Sequence, residues 1–174
     1  MSNLNNTLEY WKKGFSVIPV KSPMMLDNAV QGDERIRLCK TPLISWKEIQ
    51  EALPTEDKIK NWWTKWPEAK IAIVTGKVSG ILVFDLESQE TADYAEAQGG
   101  FHKTPVVLSG KGKHFYVRYP EGIRCKANKN LKIDIGADGG YIMALPRFTV
   151  RAAPIPGKRV LPSSISSPLS ALPG

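Results

Sequence analysis

The chain has 174 residues, 42% hydrophobic and 24% charged, which is typical of one globular domain with a substantial core. No apolar run is long enough to cross a membrane, and the N-terminus lacks the layout of a secretory signal, so a cytoplasmic protein is expected. The only two cysteines, Cys39 and Cys125, exclude a four-cysteine zinc module, and we expect both to be buried free thiols.

Positive charge is concentrated in the second half of the chain. Residues 1–98 contain 12 Lys and Arg against 14 Asp and Glu, whereas residues 99–174 contain 12 against 3, and the whole chain carries +7. This asymmetry favours a polyanionic partner such as nucleic acid, a nucleotide or an acidic membrane face. A solvated basic surface without a partner would explain the charge equally well.

The first predicted elements are a short helix that ends at Gly14 and a strand over residues 15–20. Residues 21–47 have little periodicity and are predicted to form a long irregular connection. A second helix is predicted over residues 55–66, with Thr55 as its N-cap. Its isoleucine and tryptophans share one face, which indicates core packing more than a platform for stacking bases; they are Ile59, Trp62, Trp63 and Trp66.

The middle of the chain is rich in predicted strands. Two strands, 70–76 and 80–87, are joined by a tight turn, and a helix capped by Ser88 follows. Four further strands are predicted at 104–109, 113–119, 131–136 and 140–146. The short turns favour antiparallel pairing. The order predicts an α+β fold, a mixed or antiparallel sheet with packed helices, over residues 1–150, and a Pro/Ser-rich exit segment or linker over 151–174.

Carboxylates end one of the apolar strands. Asp85 and Glu87 are two residues apart in ILVFDLE, so a strand would present them on the same face. Two like charges this close repel unless a cation lies between them, and hard divalent ions prefer oxygen ligands. The alternative is a pair of solvent-exposed acids at the end of a strand.

A second strand, LKIDIG, repeats the pattern. Ile133 and Ile135 share one face, whereas Lys132 and Asp134 share the other. If this strand lies beside the Asp85 strand, three carboxylates converge as a two-metal phosphoryl- or nucleotidyl-transfer site requires. Alternatively, Asp134 is bonded to a neighbouring turn.

Between the acidic strands lies SGKGKHFYVRY. Alternation would present His114, Tyr116 and Arg118 to a cleft, with Phe115 and Val117 in the core. The glycine-rich bend offers backbone N–H groups, a hydroxyl and two ammonium groups, which suit a triphosphate. The bend is not a P-loop, because the required spacing is absent and a strand follows. A histidine bonded to a backbone carbonyl is the alternative for His114.

In their order, DLE, SGKGKH–FYVRY and KIDIGADGGYIMALP resemble the archaeo-eukaryotic primase superfamily, specifically the primase–polymerase domains of plasmids, phages and mobile elements. The N-terminal GFSVIPV and KTPLISWKEI are also similar to the opening of those domains. The resemblance covers about residues 8–150, and implies an RNA-recognition-like sheet joined to a small α/β N-terminal unit.

The resemblance also implies site residues. The catalytic set, which would bind Mg²⁺ or Mn²⁺, is Asp85, Glu87 and Asp134. The nucleotide phosphates would be held by His114 and by the bend of Ser109, Gly110, Lys111 and Gly112. Arg118 is added to the nucleotide-binding set from strand alternation alone. The chain departs from the family pattern in Glu87, often an aspartate, and in Gly112, often a serine in the wider superfamily.

The implied activity is template-dependent nucleotidyl transfer in replication, by a DNA polymerase and primase. The partners would be a single-stranded DNA template, a primer and nucleoside triphosphates, with a helicase domain or protein in longer relatives and no membrane. Two alternatives remain: a catalytically inactive nucleic-acid-binding replication module, and a metal-dependent nuclease that uses the same carboxylates. Whether the enzyme starts chains or only extends them, and which sugar it prefers, stay open.

Overall fold

A computed structural model describes residues 3–97, 104–108 and 112–144. The helices of this part are α1 (Asn3–Lys12), α2 (Gly32–Leu38), α3 (Glu56–Lys65) and α4 (Gln89–Ala97). The strands are β1 (Val17–Val20), β2 (Lys70–Val74), β3 (Ile81–Leu86), β4 (Val106–Leu108), β5 (Lys113–Arg118), β6 (Lys126–Asn128), β7 (Ile133–Gly136) and β8 (Tyr141–Met143). The predicted α+β class is confirmed. The exit segment predicted over 151–174 lies outside the described residues.

The strands form two antiparallel sheets. The smaller sheet has the order β1-β2-β8, and the larger sheet has the order β4-β5-β3-β7-β6. Strand β8 follows all the strands of the larger sheet in sequence, yet it pairs with β2. The smaller sheet is therefore completed by a strand that returns from the far end of the described chain, and is not built from N-terminal residues alone.

The tight turn predicted between β2 and β3 does not produce a hairpin. These strands belong to different sheets and share only an isolated bridge between Gly76 and Ile81. The turn instead bonds to the segment after β7: the Thr75 hydroxyl donates to the Ala137 carbonyl, and the Lys77 N–H donates to Asp138 Oδ1. These bonds hold the turn against the segment after β7. The chain passes from the smaller sheet to the larger sheet at this turn.

Two elements were absent from the sequence prediction. Helix α2 lies in the connection that was predicted to be irregular, and it buries none of its residues. Strand β6 is an edge strand whose three residues are all exposed. Both lack the apolar periodicity by which a helix or strand is recognised in a sequence, because neither packs a face into the core.

The larger sheet is covered on both faces. On one face, Leu86 of β3 and Phe115 of β5 pack against Ala92 of α4. On the other face, Val83 and Tyr116 join a larger cluster with residues of α1, α3 and the smaller sheet. The predicted core face of α3 is confirmed, since Ile59 and Trp63 are buried in that cluster and the other two tryptophans pack against it. The Thr55 hydroxyl caps α3 as predicted.

The cysteine prediction is half correct. Cys39 is buried, whereas Cys125 is exposed. The thiol of Cys125 nevertheless accepts a hydrogen bond from the Ala137 N–H at 3.2 Å, so it is fixed against the segment that follows β7. No helix within the described residues is long and apolar enough to cross a membrane.

Two core tyrosines are held in their neutral form. Burial raises the pKa of Tyr10 well above its ordinary value, with a smaller contribution from Glu9. Burial also raises the pKa of Tyr116, with smaller contributions from Tyr10 and from Asp85. Both side chains belong to the cluster between the larger sheet and α1. Ionising either phenol would place a charge in this core.

We therefore expect alkaline destabilisation. Because the folded-state pKa of each tyrosine lies above its unfolded value, the stabilisation is complete below about pH 10 and is lost as the pH rises further. Urea unfolding between pH 7 and 11 should show a decline of up to about 1.4 kcal/mol per pH unit for each tyrosine. The Tyr10→Phe/Tyr116→Phe variant should flatten that decline, whereas Tyr94→Phe, at an exposed tyrosine, should not. An equal slope in all three proteins would contradict this expectation.

Candidate active site

One row of residues crosses the larger sheet with one member from each strand. In the order of the strands it consists of Val107, His114, Asp85, Asp134 and Ala127. Residues directly opposite each other in an antiparallel ladder project from the same face. The register therefore brings an imidazole and two carboxylates side by side, although they are far apart in sequence.

Asp85 lies at the centre of this arrangement because of its place in β3. The strand is otherwise apolar, and its neighbour Leu86 is fully buried against α4. Alternation then turns Asp85 to the opposite face, where it is partly exposed. The same alternation in β5 buries Phe115 against α4 and turns His114 toward Asp85.

His114 contacts the central carboxylate directly. Its Nε2 lies 3.2 Å from Asp85 Oδ1, and the residue is buried. Its other ring nitrogen, Nδ1, is also buried and makes no hydrogen bond to any part of the chain that the structure describes. A buried polar atom in this position requires a partner, since a buried donor or acceptor without a hydrogen bond costs about 1–3 kcal/mol. The imidazole is thus fixed on one side, whereas its other nitrogen lacks a partner among the described residues.

Asp85 and Asp134 are directly opposite each other on adjacent strands. Side chains in such a pair have Cβ atoms about 4.5–5.5 Å apart, and like charges there are destabilising. Hard carboxylate oxygens in a pair of this kind suit a divalent cation such as Mg²⁺ or Mn²⁺. The donor chemistry of the row therefore fits the predicted metals.

The third predicted carboxylate does not lie in the row. Glu87 is exposed and follows the end of β3, where its N–H donates to the Lys132 carbonyl at 3.0 Å. Over residues 3–97, 104–108 and 112–144, no three His, Cys, Asp or Glu side chains are grouped so that they could hold a metal ion. The structure thus brings two predicted carboxylates together and leaves Glu87 at the next position along the ladder.

Gly112 marks a close approach of two backbone segments. It is buried, and a Cβ atom added to it would lie 2.9 Å from the Leu86 carbonyl carbon and closer still to its oxygen. The serine found here in the wider superfamily would collide with β3. The other predicted residues of this bend, Ser109, Gly110 and Lys111, lie outside the described residues.

Lys113 does not point to the cleft, as the sequence interpretation of the two ammonium groups required. Its Nζ lies 3.0 Å from Glu96 and 3.6 Å from Asp93, both on α4. It belongs to the same face as Phe115, because the two residues are separated by two positions on β5. Its charge therefore anchors α4 to the sheet.

The remaining two residues expected from β5 are not presented to the cleft. Tyr116 shares a face with His114 but is buried in the core, because the N-terminal helices cover that part of the face. Arg118 is exposed and pairs with Ile81 at the other end of β3. Four residues of extended chain separate it from His114, which corresponds to about 13 Å.

A cavity of about 600 Å³ lies away from the row, beside the turn between β2 and β3. Lys77, Arg124 and Asp138 line it together with residues 50–53, and no member of the row does. The sequence interpretation did not identify this cavity. Its lining comes from turns that carry no recognisable motif.

Comparison with models of protein families gives a match over most of the chain. The family model described as bifunctional DNA primase/polymerase, N-terminal, matches residues 7–173, which include every member of the row. A search among curated proteins returned no significant match.

The close approach at Gly112 predicts a cost for any side chain there. We expect Gly112→Ala to lower the free energy of unfolding by about 2 kcal/mol or more, because the added methyl group must push against a backbone carbonyl. Gly122→Ala is the control: its φ is +80° but the surrounding space is open, so it should cost about 1 kcal/mol. Urea unfolding of the three proteins measures both values. An equal or smaller loss at Gly112 would contradict the collision.

Proposed function

Because the chain belongs to the family of bifunctional DNA primase/polymerase N-terminal domains, we propose that it adds nucleotides from triphosphates to a strand on a single-stranded DNA template. The observation that carries the proposal is the row that aligns His114, Asp85 and Asp134 on one face of the larger sheet. A nucleotidyl transferase needs cationic groups for the triphosphate and carboxylates for divalent ions at adjacent positions.

The carboxylates would hold the divalent ions. Asp85 and Asp134 supply adjacent hard oxygen ligands, and Glu87 follows at the next ladder position. When bound, Mg²⁺ or Mn²⁺ would lower the pKa of the attacking hydroxyl and neutralise charge on the leaving pyrophosphate. The role of the side chains themselves is to hold and orient the divalent ions.

His114 would hold the triphosphate. The imidazole contacts Asp85 through Nε2, which leaves Nδ1 to interact with a phosphate oxygen. The backbone of Gly112 lies against Leu86 of β3, beside the row. The absence of a side chain at Gly112 permits this close contact with the Leu86 carbonyl.

The test is primer extension on a single-stranded template with Mn²⁺ or Mg²⁺. Asp85→Asn and Asp134→Asn should each lower the rate by about 100-fold or more, because each removes a carboxylate ligand of the divalent ions. Asp33→Asn, at an exposed acid in the first turn of α2, is the control and should retain the wild-type rate. Calorimetric titration with Mn²⁺ should show a site in the wild type that Asp85→Asn lacks.

Folded Asp85→Asn and Asp134→Asn proteins that extend primers at the wild-type rate would contradict the metal role. Cleavage of labelled DNA with metal but without nucleotides would indicate a nuclease instead. The same gel, run with and without primer and with both nucleotide pools, determines whether chains are started or only extended.

The proposed role of His114 predicts a separate effect on nucleotide binding. His114→Gln should raise the KM for the incoming nucleotide by about tenfold or more, since a hydrogen bond to a charged group contributes about 1.5–3 kcal/mol. Lys113→Gln is the matched control from the adjacent position: it should loosen α4 but leave that KM unchanged. Steady-state extension at varied nucleotide concentration measures both. A larger rise in KM for Lys113→Gln than for His114→Gln would contradict the assignment.

A further inference from the structure

The hairpin formed by β6, its turn and β7 is strongly basic. We call residues 124–136 the basic hairpin; between Glu121 and Asp134 the chain has no acid, and its cations are Arg124, Lys126, Lys129 and Lys132. All four are exposed. All 17 acidic side chains of the protein lie within the described residues, and none of them forms an ion pair with these four. The hairpin therefore presents cations that the protein itself does not neutralise.

Lys132 has an unfavourable backbone conformation. Its φ is +52°, and it is the only non-glycine residue with positive φ in the part of the chain that the structure describes. Asparagine and glycine adopt this region more readily than lysine does. The position lies two residues before Asp134, and its carbonyl bonds to the Glu87 N–H. A lysine kept in a strained conformation beside two proposed metal ligands points to a role for its side chain.

The geometry of nucleotidyl transfer determines which ligand approaches this hairpin. Across the sheet the strands run in the order β5, β3, β7, β6, with His114 on the first and Asp134 on the third. With the triphosphate tail held at β5, the pyrophosphate leaves toward that strand. An in-line displacement requires the attacking hydroxyl to approach from the opposite side, which is the side of β7 and β6.

We propose that the basic hairpin binds the phosphates of the primer strand and thereby brings its 3′-hydroxyl to the row. This inference rests on the proposed nucleotidyl transfer and adds the surface that receives one substrate. Lys132 and Lys129 lie in the turn at the carboxylate end of the hairpin, closest to the reacting atoms. Lys126 and Arg124 continue the positive charge along the edge of the sheet, where an extended strand of phosphates can follow it.

The test compares two variants that each remove two positive charges. Lys129→Gln/Lys132→Asn removes the turn cations, and asparagine suits the positive φ, so the melting temperature should be unchanged or raised. Lys40→Gln/Lys58→Gln is the control, and it removes two exposed charges from the N-terminal half of the chain, outside the basic hairpin. Binding of a primer–template duplex is measured by fluorescence anisotropy at 50 to 200 mM salt.

Each phosphate contact contributes about 0.9 to the logarithmic salt slope. The turn variant lacks two such contacts. Across this fourfold change in salt, wild-type affinity should therefore fall about tenfold more than the affinity of the turn variant, and the control should behave as the wild type does. Mn²⁺–nucleotide binding without DNA should be unchanged in the turn variant. Methylphosphonates in the primer strand should weaken wild-type binding but have little further effect on the turn variant.

The two proposals can fail separately. A wild-type protein that extends no primer contradicts the proposed function. A wild-type protein that extends primers, together with a turn variant that keeps the wild-type slope, overturns the role of the hairpin. Sensitivity of the wild type to methylphosphonates in the template strand alone also overturns the assignment to the primer.

Discussion

The antiparallel register of β5, β3 and β7 is the constraint on which the rest of the site depends. It aligns His114, Asp85 and Asp134 because each is opposite the next across the ladder. A shift of one residue would turn a whole strand over and place its carboxylate or imidazole against α4. The apolar residues prevent that shift, since Leu86 and Phe115 must both face α4 to be buried. Core packing thus holds the polar row in place.

The same face of the sheet serves as core at one end and as site at the other. Val83 and Tyr116 are covered by the N-terminal helices and the smaller sheet, whereas Asp85, one alternation further along β3, is partly exposed. The boundary between the covered and the exposed part of this face lies between Val83 and Asp85 on β3. It explains why His114 is buried yet contacts a carboxylate, and why burial and Asp85 together raise the pKa of Tyr116.

Charge is divided between the two faces and the edge of the larger sheet. Lys113 is directed to α4 and neutralised there by Glu96 and Asp93, so it contributes to packing. The cations of the basic hairpin form no ion pair with any acidic side chain among the described residues, and they are exposed. Lys113 is therefore neutralised within the fold, whereas the cations of the basic hairpin are available to a polyanion.

Local sequence patterns were enough to predict most secondary-structure elements of this protein and its family. Apolar alternation identified most strands, Thr55 and the tryptophan face identified α3, and the order of the acidic and glycine-rich motifs indicated the family. Strand alternation also correctly separated Asp134 from its flanking isoleucines. Sequence could not reveal α2 or β6, because neither buries an apolar face.

Only the tertiary structure decided which strands are neighbours and which parts of a face are covered. Alternation placed Tyr116 and Arg118 with His114, but the N-terminal cover buries the first and the length of β5 separates the second from the acids. The composition of the glycine-rich bend grouped the Lys113 ammonium with the cleft, whereas Lys113 contacts α4 on the other face. The periodicity of a strand specifies two faces, whereas the packing of distant segments determines what each face meets.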